Sequence, residues 1–192
     1  DSALKNVASL SGAYAQYLTR TIEQMDQIAM QVQYDWNRSG GKLDLKDFRR
    51  QGLLIAPQLI TVTILGRDGF PVTSTVNLKA RPSGASREYF IFHRENDTLA
   101  ARVGQPLIWP GTGTAILPFT RRLNAPDGSF AGVVAVSIGS GYFSEFYDDV
   151  SLGSEGLLAM VDLEGAVRTA RTGGMIQTPS TPGRGPSMTF AT

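Results

Sequence analysis

Residues 59–76, Leu-Ile-Thr-Val-Thr-Ile-Leu-Gly-Arg-Asp-Gly-Phe-Pro-Val-Thr-Ser-Thr-Val, decide how this chain is read. Residues 59–65 alternate and are rich in β-branched side chains, which predicts a strand. Arg67-Asp68-Gly69 is a hairpin turn, because glycine takes the positive φ that a tight turn needs. Residues 71–76 are the returning strand. Downstream, three more strands are predicted over residues 102–109, 114–123 and 131–138, the last two joined at Asp127-Gly128. Strands joined by hairpins imply an antiparallel sheet of five strands flanked by helices.

The helices come from the segments around these strands. Leu4, Val7, Tyr14, Leu18, Ile22, Met25, Ala29, Val32 and Trp36 recur at helical spacing with no proline between them, so the first 36 or so residues read as one amphipathic helix. Ser39-Gly40-Gly41 ends it. At about 1.5 Å per residue it spans roughly 54 Å, more than one small domain needs, which suits a stalk or a dimer seam as well as a core helix. Residues 45–51 form a short amphipathic helix. Residues 86–96 form another, with Ser86 as its cap and Tyr89, Phe90 and His93 at helical spacing. A last helix is expected over residues 141–150.

A second unit begins near Gly156, with a strand at residues 157–161, a turn at Glu164-Gly165 and a return over 166–172. ILGRDGFPV from Ile64 and MVDLEGAVR from Met160 place an acidic-Gly turn between apolar strands, 96 positions apart. That period suggests tandem copies of one domain, the second cut short with a mobile Pro/Gly tail. The expected organisation is residues 1–52 as the helical lead-in, 53–152 as a ligand-binding domain and 153–192 as a partial second unit. The fold class is α+β.

Composition narrows the chemistry. The 192 residues carry 18 Lys+Arg and 17 Asp+Glu, so a polyelectrolyte partner such as nucleic acid is a poor fit. With no cysteine and one histidine, thiolate nucleophiles, zinc-thiolate sites and two-histidine metal motifs are excluded. No nucleophile elbow, P-loop or dinucleotide fingerprint occurs. Gly111-Thr-Gly-Thr114 reads as a turn, Asp148-Asp149 as a solvated face, and Arg49-Arg50 and Arg121-Arg122 as isolated pairs. No catalytic residue, metal site or cofactor is expected. The chain starts at Asp1 and stops after a Pro/Gly/Ser/Thr-rich stretch, which predicts flanking segments beyond both ends. No apolar run reaches the length of a membrane span.

The remaining constellation is Arg87-Glu-Tyr89-Phe90-Ile-Phe-His93-Arg94. An Arg fork at a helix start, aromatic walls and a histidine suit a small carboxylate-bearing ligand. Read structurally, the same residues are core aromatics, a solvated arginine and a histidine with one hydrogen bond.

SREYFIFHR (residues 86–94) with DGSFAGVVAVSIGSGYFSEFY (residues 127–147) resembles the extracytoplasmic double-Cache (PDC, PAS-like) sensor domains of bacterial membrane signalling proteins. The resemblance is nearest to those on diguanylate cyclases and histidine kinases. It implies a periplasmic position between two membrane spans outside this segment, with the catalytic output in the cytoplasm. It also implies a homodimer through the long helix. By this resemblance Arg87 matches the arginine that meets a ligand carboxylate in amino-acid-sensing relatives, and Tyr89 and Phe90 match their aromatic pair. Ser137 stands where those relatives carry an amine-binding aspartate, and Gly139 replaces an acidic residue frequent just after that strand. A buried ammonium without a carboxylate partner is costly, so a carboxylate, another small anion or a neutral ligand is expected rather than an α-amino acid. Strand alternation puts Val133 and Ala135 on the side of Ser137, and Thr120 with Arg122 on one side of their strand, Arg121 on the other. Trp109 is a further candidate contact. The alternatives are a non-binding dimerisation module or a chemoreceptor sensor.

Overall fold

The β-branched run becomes β1 (Leu59–Gly66), paired antiparallel with β2 (Pro71–Ser74). Gly69 in the turn has φ +79°, and a Cβ there would lie 2.6 Å from Ala85 Cβ. Only glycine closes this turn. Thr75 keeps its backbone bond to Val62 O (2.9 Å), but its Oγ1, not its carbonyl, accepts from Val62 N (3.0 Å). The side chain takes the ladder's place, so the strand ends at Ser74 rather than at 76. The structure, a computed structural model, describes residues 2–54, 56, 59–78, 81–109, 112–143, 155–161, 165, 167–172 and 175–177.

The sheet is completed by β3 (Arg102–Val103), β4 (Leu107–Ile108), β5 (Ala115–Asn124) and β6 (Phe130–Gly139), in the order β2-β1-β6-β5-β3 with β4 also on β5. The single strand expected over 102–109 is therefore two. Gly104 faces Pro118, donating to its carbonyl at 2.8 Å; proline has no N–H to return, and the ladder breaks there. Gly132 on β6 has φ +151°, and a Cβ there would lie 2.1 Å from Leu65 O. At the β5–β6 turn Asp127 accepts from Ser129 Oγ (2.7 Å) and N (2.9 Å), which holds its carboxyl below the usual range.

Helix α1 (Ser2–Arg38) ends where Gly40 and Gly41 turn to positive φ. It buries Tyr14, Met25, Ala29 and Val32, but Val7 is 64% exposed. The predicted stripe is thus core only in its later part, because a helix of 37 residues outruns strands of at most ten. Helix α2 (Leu45–Arg50) is capped by Asp44, which accepts from Lys46 N at 2.9 Å. Helix α3 (Glu88–Glu95) is not capped by Ser86. Arg87 holds the extended backbone (φ −69°, ψ 139°) and its carbonyl accepts from Phe90 N and Ile91 N, so the helix begins later and Ser86 stays outside it, exposed. The helix expected over 141–150 begins as a 3₁₀ turn, Ser140–Phe143; residues 144–150 lie outside the described residues.

The chain divides into two compact units, Asp1–Gly104 with Pro118–Ile138, and Gln105–Leu117 with Gly139–Thr192. The second contains an antiparallel sheet of β7 (Leu157–Val161), β8 (Val167–Thr172) and β9 (Met175–Gln177). Its first hairpin repeats two irregularities of β1–β2. The register shifts between Met160 and Val161 as it does between Ile64 and Leu65, and Gly165 (φ +82°) matches Gly69. The short β9 was not expected. The tail beyond 177 and Asp148-Asp149 lie outside the described residues. Among those residues no helix is long and apolar enough to cross a membrane.

Candidate functional site

In the first unit the sheet presents two chemically different faces. Directly paired residues share a face, so Thr61 lies with Ser137, Thr63 with Ser74 and Ala135, and Leu65 with Val133. A Cβ on Gly84 would lie 2.6 Å from Leu65 Cδ1, so the segment leading into α3 packs on this face. The alternating set, Val62, Ile64, Val134 and Val136, is fully buried and points the other way. That other face belongs to the long helix: Arg121 of β5 makes a two-pronged pair with Asp26 of α1 (2.5 and 2.8 Å). Three positions after Asp26, Ala29 is buried, and Gln33, one turn further on, donates to Arg122 O at 2.7 Å.

Beside the buried Leu65, Val133 and Ala135, the α3 face carries the buried hydroxyls of Thr61, Thr63, Ser74, Thr120 and Ser137, with Thr75 buried at the end of the hairpin. Thr63 and Ser74 are 2.9 Å apart, and Thr61 sits 3.3–3.4 Å from Thr63, Ser74 and Thr75. The sequence had singled out Ser137 and Thr120 of this group. The β1–β2 hydroxyls went unmarked because threonine is an ordinary strand residue; only the cross-strand register brings them together.

Helix α3 turns Tyr89, Phe90 and His93 inward. The Phe90 ring meets Phe130 edge-on with centroids 5.5 Å apart, and the Tyr89 ring lies against Gly104. His93 is 0% exposed; its Nε2 lies 3.0 Å from Thr120 Oγ1, while its Nδ1 is buried with no hydrogen-bond partner. Burial pulls the His93 pKa down from 6.5 to about 4 against the Thr120 hydrogen bond, with Arg102, Arg122 and Arg121 adding repulsion. The imidazole is therefore neutral at pH 7. Burial pushes the Tyr89 phenol up, and the Arg87 guanidinium acts on it in the opposite sense.

The arginines divide by role. Arg122 joins Thr120 on the α3 face, and Arg121 faces α1, which settles the parity left open by alternation. Arg122 spends its guanidinium on the last carbonyls of α3, at His93 O (2.5 Å), Arg94 O and Asn96 O, and on Asn124 Oδ1 (2.6 Å). It acts as a C-terminal cap for α3. Arg102 pairs with Glu88 and lies over the Phe92 ring at 4.1 Å. Arg87 has no ion pair or side-chain hydrogen bond among the described residues and stands at the start of α3. Trp109 falls in the second unit, where its N–H donates to Thr114 O (2.8 Å) to close the turn between β4 and β5; it is not among the residues gathered around α3. A separate cleft of about 330 Å³ is lined by Lys46, Arg49, Arg50, Thr75 and Asn77. Among the described residues no group of side chains fits a metal ion.

No protein-family model matches the chain, and no curated protein matches it. Solved structures do. The extracellular domain of rpHK1S-Z16, assigned as a histidine kinase, superposes with a TM-score of 0.71 at 27% identity over 88% of this chain and 72% of that one. The sensor domain of the Vibrio cholerae histidine kinase DctB matches at 0.58 and 13% identity over 84% and 64%. The ligand-binding domain of the Pseudomonas fluorescens chemoreceptor CtaA, solved with L-alanine, matches at 0.57 and 14% over 88% and 70%. The chain has the fold of an extracellular sensor domain.

Its neighbours are sensor and ligand-binding domains rather than catalytic ones, and this chain is a sensor domain of α+β architecture.

Proposed function

We propose that this sensor domain binds a small carboxylate or similar anion on the α3 face of its first unit. The observation that carries this reading is the division of the arginines. Arg102, Arg121 and Arg122 are each committed to protein partners, whereas Arg87 is free at a helix start, where backbone N–H groups also favour an anion. Tyr89, Phe90, His93, Thr120 and Ser137 complete the proposed contacts, with Arg122 holding α3 in place. Binding would shift α3 and the sheet against α1 and so bias a cytoplasmic output of histidine kinase or diguanylate cyclase type across an inner membrane. Met30 (42% exposed) and Tyr34 (60%), one turn apart on α1, offer an apolar strip for a homodimer.

Calorimetry against a panel of small carboxylates tests the site. Saturable binding weakened about tenfold or more by Arg87→Ala supports it. Binding that ignores Arg87→Ala but falls with Arg49→Ala or Arg50→Ala would move the site to the cleft beside α2.

A further inference from the structure

The His93 hydrogen bonds fix more than its burial does. Thr120 Oγ1 lies 3.1 Å from Arg102 O, and a carbonyl only accepts, so the single Thr120 hydroxyl proton points there. Towards His93 the same oxygen must accept, at 3.0 Å from Nε2, and Nε2 therefore carries the imidazole proton. In the neutral ring Nδ1 is then a bare lone pair. It is fully buried and has no partner, on a residue that is 0% exposed. A buried acceptor left unmet is unfavourable, and only a donor can relieve it.

The donor has to be an O–H or an N–H. The sheet face of Thr120 carries further hydroxyls, Ser137 on the neighbouring strand β6 and Thr61, Thr63 and Ser74 on the strands beyond it, none of which supplies the negative charge that a buried ammonium requires. Of the two acidic side chains on α3, Glu95 is exposed and Glu88 is engaged with Arg102, although its Oε2 is a second buried atom without a partner. Resting on the proposed anion-binding reading, with Arg87 as the carboxylate's partner, we infer that the ligand is a hydroxycarboxylate whose hydroxyl donates to His93 Nδ1. The same oxygen can then accept from a threonine or serine hydroxyl of the sheet, since an alcohol both donates and accepts.

The experiment compares matched acids on the 192-residue chain, L-lactate against propionate and L-malate against succinate, with L-alanine as the amine control. The expected result is that in the pair that binds, the hydroxylated acid is tighter by tenfold or more, because a site built around a hydroxyl rejects the analogue that lacks it. Equal affinity within a pair overturns this inference while leaving the carboxylate reading intact. Failure of all four acids overturns both. Tighter binding of L-alanine overturns the inference in favour of Glu88 Oε2 as an ammonium partner. Because the chain has one histidine, its imidazole nitrogens give a single pair of nitrogen resonances, which keeps the test independent of whether a His93 variant folds. At pH 7 the free protein should show a protonated Nε2 and a bare Nδ1. Saturating hydroxy acid should move Nδ1 towards the hydrogen-bonded position and leave Nε2 protonated. An Nδ1 resonance unmoved at saturation overturns the inference, as does a free protein protonated at Nδ1.

Discussion

The two faces of the central sheet are buried to a similar degree but made of different material. On the α1 face Val62, Ile64, Val134 and Val136 are aliphatic, and α1 adds the two-pronged pair of Asp26 with Arg121 and the Gln33 hydrogen bond to Arg122 O. On the α3 face Leu65 and Val133 share the surface with the buried hydroxyls of Thr61, Thr63, Ser74 and Ser137, and His93 brings a neutral imidazole with one unpartnered nitrogen. Burying a polar atom costs stability unless it is hydrogen-bonded, so the unpartnered Nδ1 of His93 is the feature of this face that supports the proposed recognition role, whereas the α1 face packs as ordinary core. Alternation along β1 and β6 keeps the two apart, since neighbouring residues face opposite ways.

The largest effect should come from the position both faces share. Gly132→Ala places a Cβ about where Leu65 O already lies, and β6 would have to leave β1. The expected outcome is loss of cooperative unfolding or of soluble expression, read by circular dichroism. Native-like melting would mean that the close approach of β6 to β1 is not needed. Next, Asp26→Ala should destabilise the domain by about 2–4 kcal/mol, because it strands a largely buried guanidinium, while leaving carboxylate affinity within about twofold. A comparable loss of affinity would show that the faces are not separable.

Acid should act on the α3 face. The His93 pKa in the folded state, about 4, lies below its unfolded value of 6.5. The unfolded chain therefore binds more protons between these values. The stability that neutral His93 confers is complete above about pH 6.5 and is lost as pH falls towards 4, by on the order of 2 kcal/mol. Denaturant titrations at pH 7 and pH 4.5 measure this, and His93→Gln should flatten the difference. A wild-type slope that survives the substitution would assign it to carboxylates instead. A smaller change is expected from Thr120→Val, at about 1–3 kcal/mol, since it removes the acceptor for the Nε2 proton. Its more telling sign is the tautomer: without Thr120 the imidazole should populate both forms.

The α1 face was the more legible in sequence, because it follows from periodicity. The long helix and all but one of the main-sheet strands stand where spacing puts them, although the break at Gly104 needed the facing Pro118, a pairing that no local pattern announces. On the α3 face, Arg87, Tyr89, Phe90 and His93 were visible as a cluster because they fall within one helix. The hydroxyl group on β1, β2 and β6 was not, since Thr61, Ser74 and Ser137 meet only through register. Arg122 illustrates the same limit. Parity placed it with Thr120, but its duty at the end of α3 depends on where that helix stops. The cap was misplaced by one residue for a related reason: Ser86 has the preferred side chain, yet backbone geometry at Arg87 begins the helix.

The most direct test of the proposed recognition face is a map of amide shifts in the 192-residue chain, titrated with the tightest acid of the carboxylate panel. The two-face account predicts saturable shifts concentrated at Arg87, Tyr89, His93, Thr120 and Ser137, with the α1 stripe at Met25, Ala29 and Val32 almost still. Shifts centred on α1 or on the Arg49 and Arg50 cleft, or no shift with any acid, would contradict it.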